Sequence, residues 1–270
     1  MPLPSALEDG SIELDLCAAR FLAECSQFAY KPPHIAQQLY FILGARRVRS
    51  IECLNHFAYA VCFPKFIVIA FRGTEKDYED ILTDLDFELV RYLEQKDSYV
   101  HKGFYKAAKL LNAEIENLVK QEDWCKRPIY FTGHSLGGAL AQLCAFKSDD
   151  YYYQIPTVYS YGAPRIGNQN MAEFISYQIA HYRFVNGADI VPALPLYTMG
   201  YQHAQTHELY FSRKGQLWKD PNWFKRSYDQ LMDSARGFVL DGFKIKLPVR
   251  RFTRHRISEY RDRIKAALNG

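Results

Sequence analysis

The sequence predicts an α/β fold, one domain over residues 1–270 with a central, mostly parallel sheet flanked by helices. Three observations support this. The run Ile129–Thr132 is apolar and β-favouring, and a tight Gly-rich turn carries it directly into a helix-forming segment, Gly138–Phe146. Further β-favouring runs follow at Thr157–Tyr161 and Arg183–Val185. There is no internal repeat, Gly/Ser linker or composition break, and 270 residues of which 48% are hydrophobic suffice for one large core.

Taken in order, the elements begin with Leu14, Cys17, Ala18, Phe21, Leu22, Cys25, Phe28 and Ala29, which repeat at helical spacing until Pro32-Pro33 stops them. Val48–Cys53, Phe57–Phe63 and Phe66–Arg72 read as strands, with turns at Asn55-His56 and Pro64-Lys65. Phe104, Ala107, Leu111, Ile115, Leu118 and Val119 mark a helix leading to the Ile129 strand. Near the end, Asp220 as N-cap and Pro221 at the first helical position predict a helix whose stripe runs through Phe224, Tyr228, Leu231, Met232, Ala235 and Phe238. That stripe is expected in the core or a pocket wall.

Composition narrows the function. No run approaches a membrane span, the longest dense apolar stretch being Phe66–Phe71. The N-terminal residues lack the basic and apolar regions of an export signal, so the expected location is cytoplasmic as the sequence stands. The six cysteines (Cys17, Cys25, Cys53, Cys62, Cys125 and Cys144) are expected to be buried free thiols. No metal-ligand spacing occurs, and neither metal nor cofactor is expected. The net charge of +4 is uneven: from Arg213 onward 15 Lys and Arg face 6 Asp and Glu, a balance of +9 that leaves the preceding residues at −5. Without interleaved aromatic residues this basic end predicts a solvated face rather than a nucleic-acid site, with peripheral contact to an anionic lipid surface as the alternative.

The chemistry centres on Gly133-His134-Ser135-Leu136-Gly137, a G-x-S-x-G turn between strand and helix. A serine alcohol attacks only when its oxygen stands clear of the backbone beside a base. A sharp strand-to-helix turn presents it so, and glycines remove side chains where the two elements cross. The helix N-terminus meanwhile aims N–H groups at developing negative charge. A turn whose serine merely caps the helix is the plainer alternative, and the context on both sides weighs against it. Ser135 is the expected nucleophile. His134 is expected to pack or hydrogen-bond rather than catalyse.

The run Thr132-Gly133-His134-Ser135-Leu136-Gly137-Gly138-Ala139-Leu140-Ala141-Gln142-Leu143 resembles the elbow of the class 3 lipases, α/β-hydrolases that include the fungal triacylglycerol lipases. Other motifs follow the family's order, extending the resemblance from about Ala18 to Ala267. Phe71-Arg72-Gly73-Thr74 is similar to its F-R-G-[ST] segment, which implies an oxyanion hole from the Thr74 and Leu136 N–H groups, with the Thr74 hydroxyl as a further donor. Residues Glu75–Phe87 occupy the place of the fungal lid; Tyr78, Ile81 and Leu82 supply an apolar face, but five charged residues among positions 75–80 depart from a greasy lid. Asp84-Leu85 matches the family's D-L pair, Val100–Phe104 its H-x-G-F segment and Tyr161–Asn168 its Y-G-x-P-R-x-G-N signature, all expected to be architectural.

The fold requires an acid and a histidine after the serine. Asp189, after the Arg183 strand and a Gly turn, matches the segment that carries the family's acid; Asp149 and Asp150 are alternatives by order but look solvated at a helix end. His255, in Arg254–Tyr260, resembles the H-x-[ILM]-x-x-Y segment bearing the base in bacterial and plant relatives, where Arg254 here replaces a frequent Asp. His203 and then His207 are the alternatives. The resemblance implies hydrolysis of carboxylic esters, acylglycerols first, with phospholipid or short soluble esters as alternatives. A silent lipase-like interaction module is the rival of another class.

Overall fold

The structure, a computed structural model, describes residues 2–74, 87–121, 126–147, 155–187, 189–204, 206–222, 224–230 and 255–269. After a short turn of helix, α1 (Ser5–Glu8), the chain forms α2 (Leu16–Phe28), whose N-terminus is capped by the Asp15 carboxylate accepting from Ala18 N–H at 2.5 Å. Pro32-Pro33 ends α2 as expected, yet Pro33 also opens another helix, α3 (Pro33–Ile42), because proline's fixed φ suits the first helical position. An antiparallel ladder follows: β1 (Arg47–Cys53), β2 (His56–Cys62) and β3 (Ile67–Phe71). A small hairpin, β4 (Leu89–Arg91) with β5 (Tyr99–His101), precedes α4 (Lys102–Gln121).

From there strand and helix alternate: β6 (Ile129–His134), α5 (Leu136–Lys147), β7 (Thr157–Tyr161), α6 (Gln169–Ser176) and β8 (Ala180–Asn186). Then come β9 (His207–Phe211), β10 (Leu217–Lys219), α7 (residues 224–230) and α8 (Ile257–Asn269). One eight-stranded sheet runs β1-β2-β3-β6-β7-β8-β9-β10. Its middle, β3 through β9, is parallel, while β1-β2-β3 and β9-β10 are antiparallel. This is the α/β-hydrolase plan, a mixed sheet with a parallel heart.

Side chains of β6 sort by parity. Ile129 and Phe131 join the core beneath α4, α5 and α6, with Leu111, Ile115, Leu140 and Met171. Tyr130 joins the opposite core, beneath α2 and α8, with Phe21, Leu22, Tyr159, Tyr161 and Ile264. On that second face Thr132 Oγ1 lies 2.9 Å from Ser26 Oγ of α2, so the polar groups facing the helix pair with each other. The central strands are buried on both faces, so the polar side chains they carry, such as Thr132 and Ser160, are paired inside the core.

Three expectations need correction. The stripe expected in the core or a pocket wall is exposed at Phe224 and Tyr228, while Leu231, Met232, Ala235 and Phe238 lie outside the described residues. Asp220 does not cap the late helix: its carboxylate accepts from Glu208 N–H at 2.6 Å, and the cap is Asn222, whose Oδ1 accepts from Lys225 N–H at 2.9 Å. Asp220 also sits at φ 46°, left-handed and incompatible with a helix start. Among the cysteines, Cys25, Cys62 and Cys144 are buried free thiols, but Cys17 is exposed and Cys53 half-exposed. Cys17 lies on the outer side of the first turn of α2 and not on its apolar face.

Candidate active site

The turn between β6 and α5 is tight enough to leave no alternative to glycine. A Cβ on Gly133 would stand 2.2 Å from the carbonyl carbon and oxygen of Gly137, and one on Gly137 2.4 Å from the Phe71 oxygen. Ser135, between them, is held at φ 59°, a left-handed conformation costing a non-glycine residue on the order of 1–2 kcal/mol. Its N–H is tied to the Tyr161 carbonyl at 3.0 Å, which fixes the turn against the end of β7. α5 begins at Leu136, whose N–H has no intrahelical acceptor at that position.

Thr74 lies three residues past the end of β3, and β3 runs parallel to β6 with Phe71 opposite Gly133. Thr74 and Ser135 therefore leave the same edge of the sheet. The approach is close: a Cβ on Gly73 would come within 2.7 Å of the His134 oxygen. Leu136 also lines an apolar cleft of about 1010 Å³ with Cys53, Leu54, Phe104 and Ala107, between β1-β2 and α4. α4 starts there because His101 Nδ1 accepts from the Gly103 and Phe104 N–H groups at 3.1 and 3.3 Å, a histidine acting as helix cap within the H-x-G-F motif.

Asp189 follows β8. Its Oδ1 accepts from Val191 N–H at 2.9 Å, and its Oδ2 accepts twice, from His255 Nδ1 at 2.6 Å and from the Tyr260 hydroxyl at 2.5 Å. Both side chains of the His255–Asp189 pair are wholly buried. With Nδ1–H committed to the carboxylate, Nε2 is the basic nitrogen of His255. Gly162, at φ +61°, makes room for the cluster: a Cβ there would stand 2.7 Å from Asp189 Oδ2, 2.9 Å from Tyr260 Oη and 3.0 Å from His255 Cε1. Since Gly162 follows Tyr161, which binds Ser135 N–H, the imidazole and carboxylate gather beside the serine's turn. The His134 and His255 ring centroids are 4.5 Å apart.

The other histidines go elsewhere. His203 Nε2 donates to the Pro192 carbonyl at 2.6 Å; its pKa is pushed well below the usual value by burial, then by Arg183 and Arg165. His207 is exposed and meets Asp220 at 3.2 Å. Tyr78, Ile81 and Leu82, with Asp84, Leu85, Asp149, Asp150 and Arg254, lie outside the described residues. Among the described residues no His, Cys, Asp or Glu group could hold a metal ion. Sequence reasoning missed Tyr260 as a ligand of the carboxylate, although it closes the histidine motif, and it missed Tyr30, for which no motif offers a signal.

A Gly-rich strand–turn–helix elbow on the parallel heart of the sheet, with a buried His–Asp pair beside it, is an arrangement of the α/β-hydrolase fold. Residues 68–199 match the model of the family described as lipase (class 3). The chain is 38% identical over 155 residues to a secreted mono- and diacylglycerol lipase of Fusarium solani, covering 56% of this chain and 44% of that one. It is 40% identical over 117 residues to the toxin TseL of Vibrio cholerae, covering 43% of this chain and 18% of that one. The chain thus spans less than half the length of these curated relatives. Its fold superposes on the Rhizomucor miehei lipase in its propeptide complex with a TM-score of 0.65 at 26% identity, over 76% of this chain and 69% of that one.

Proposed function

We propose that this protein is a carboxylic-ester hydrolase acting on acylglycerols through an acyl-enzyme, its 270 residues working as one domain. The observation that carries the reading is the His255 Nδ1–Asp189 Oδ2 hydrogen bond of 2.6 Å, buried beside a serine in left-handed conformation at a helix N-terminus. Ser135 attacks the ester carbonyl while His255 Nε2 takes its proton, and Asp189 stabilises the imidazolium that forms. The Thr74 and Leu136 N–H groups stabilise the tetrahedral oxyanion, aided by the helix dipole. His255 returns the proton to the leaving alcohol, and water reverses the sequence to release the acid. No cofactor enters these steps.

Substrate class rests on the relatives named as acylglycerol lipases and on the apolar cleft that reaches Leu136, which suits an acyl chain. Tyr78, Ile81 and Leu82 are proposed to border that pocket. The charged run among residues 75–80 favours a second reading, an esterase for short soluble esters. No described helix is long and apolar enough to cross a membrane; contact with a lipid surface is proposed as peripheral. Some matched relatives are named as secreted, and cell fractionation with activity assays on medium and lysate separates export from residence in the cytoplasm.

Hydrolysis of glycerol esters from butyrate to oleate, scanned through each solubility limit beside Ser135→Ala and His255→Ala, tests the proposal. A lipase accelerates when long-chain substrate forms an interface, and both variants are inert. Turnover of short soluble esters alone selects the esterase. A folded parent that hydrolyses nothing leaves the silent-module reading in front.

A further inference from the structure

His134 ends β6 inside the elbow motif and has no part in the reaction proposed above. Its ring is buried, and both of its nitrogens are engaged. Nε2 makes a short hydrogen bond with the backbone carbonyl of His255, and Nδ1 lies 2.9 Å from the Tyr30 hydroxyl. A carbonyl only accepts, so Nε2 must carry a proton. Burial, reinforced by the neighbouring His255, lowers the His134 pKa well below its usual value, so the ring is neutral and Nδ1 is an acceptor. Tyr30 therefore donates to Nδ1, and its 3.3 Å approach to the His134 carbonyl is the weaker contact.

The arrangement depends on Gly73. A Cβ at that position would stand 2.2 Å from Tyr30 Oη and 2.7 Å from the His134 oxygen, so only a glycine lets the tyrosine reach the histidine. One chain of contacts thus joins the residue before Thr74, the second residue after α2, the residue before Ser135 and the main chain of His255. The His255 side chain is anchored by Asp189; nothing in that bond fixes where its main chain sits.

We propose that His134, held as its Nε2–H tautomer by Tyr30, is a positioning residue that pins the His255 backbone against the elbow and so sets the distance between base and nucleophile. The inference rests on the reading of Ser135 and His255 as nucleophile and base. It requires a neutral ring that donates on one side and accepts on the other. Glutamine can do the same with its amide, whereas phenylalanine keeps the volume and loses both bonds.

Two readouts test it. Histidine ¹⁵N shifts should place His134 in the neutral Nε2–H form from about pH 5 to pH 8, independent of any activity. With p-nitrophenyl butyrate, His134→Phe should lower kcat by about 10- to 100-fold at nearly unchanged KM, His134→Gln should recover to within about threefold of the parent, and Tyr30→Phe should fall between them. An Nδ1–H tautomer, titration of His134 in that range, an unchanged kcat in folded His134→Phe, or a glutamine variant no better than phenylalanine would each overturn the proposal. If His134→Phe does not fold, Tyr30→Phe and the tautomer still decide. Failure of the functional reading looks different: a fluorophosphonate would leave Ser135 of the parent unlabelled while the tautomer result stands.

Discussion

Tyr260 donates its hydroxyl to the same Asp189 oxygen that accepts from His255, at 2.5 Å against 2.6 Å. Burial, followed by the Asp189 charge, raises the Tyr260 pKa well above the usual phenol value, so the hydroxyl remains a donor. It also accepts from Asn186 N–H at 3.2 Å, binding the end of β8 to α8. Tyr260→Phe removes both bonds and leaves a buried carboxylate oxygen and a buried N–H short of a partner. The expected cost is about 1–3 kcal/mol of stability with a kcat about tenfold lower and KM little changed. Urea denaturation and ester kinetics on the same preparation check it; parental values in both would refute the role.

Two glycines make a sharper pair. At Gly133 an added methyl meets only backbone of Gly137 and Gly138, at 2.2–2.7 Å, so no side chain can yield. At Gly162 it meets Asp189, Tyr260 and His255, and φ is +61° as well. Gly133→Ala is expected to prevent a stable native elbow. Gly162→Ala is expected to fold, destabilised by about 1–3 kcal/mol, and to lose activity by disturbing the His–Asp pair. Thermal melting beside kinetics separates the two, and an active, stable Gly133→Ala would count against the crossing geometry.

What could be read from the sequence followed how local the cause was. β7 was predicted at its observed limits, Thr157–Tyr161, because Val158, Tyr159 and Tyr161 make a β-favouring run whose residues are buried on both faces. The elbow was legible because steric crossing demands glycine at fixed offsets. By contrast β9 and β10 went unpredicted: His207 and Trp218 blur the period, and the strand's environment comes from pairing with β8. The Asp220 cap failed because a competing tertiary partner, Glu208 N–H, claimed the carboxylate. Asp189 and His255 were singled out through motif resemblance, while their mutual contact spans 66 positions that no local rule connects.

Thiol reactivity should follow burial. Cys17 is exposed, whereas Cys25 and Cys144 are fully buried and burial raises both thiol pKa values. Buried Cys62 accepts from the Arg127 guanidinium at 3.0 Å. Alkylation of the native protein, read by peptide mass spectrometry, should modify Cys17 first, Cys53 more slowly, and Cys25 and Cys144 only after unfolding. Equal rates at Cys17 and Cys144 would contradict the packing of α5.

His181 makes stability depend on pH with a definite sign. It is buried on β8 with Nε2 2.8 Å from Ser160 Oγ, and burial, aided by Arg183, lowers its pKa to about 3. An unfolded histidine titrates near 6.5, so between about pH 6.5 and about pH 3 the unfolded chain binds a proton that the folded chain refuses. The stability tied to the neutral ring is therefore complete above about pH 6.5 and lost on acidification, by about 1.4 kcal/mol for each pH unit. His134 and His203 are shifted in the same direction and add to the slope. His181→Gln keeps a partner for Ser160 without a titrating group. Urea midpoints at pH 7, 6 and 5 should fall less steeply for this variant, the difference between its slope and the parent's being about 1.4 kcal/mol per pH unit below 6.5. Identical slopes would mean that the folded protein takes up the proton at His181, and that the strand opens to water as the pH falls.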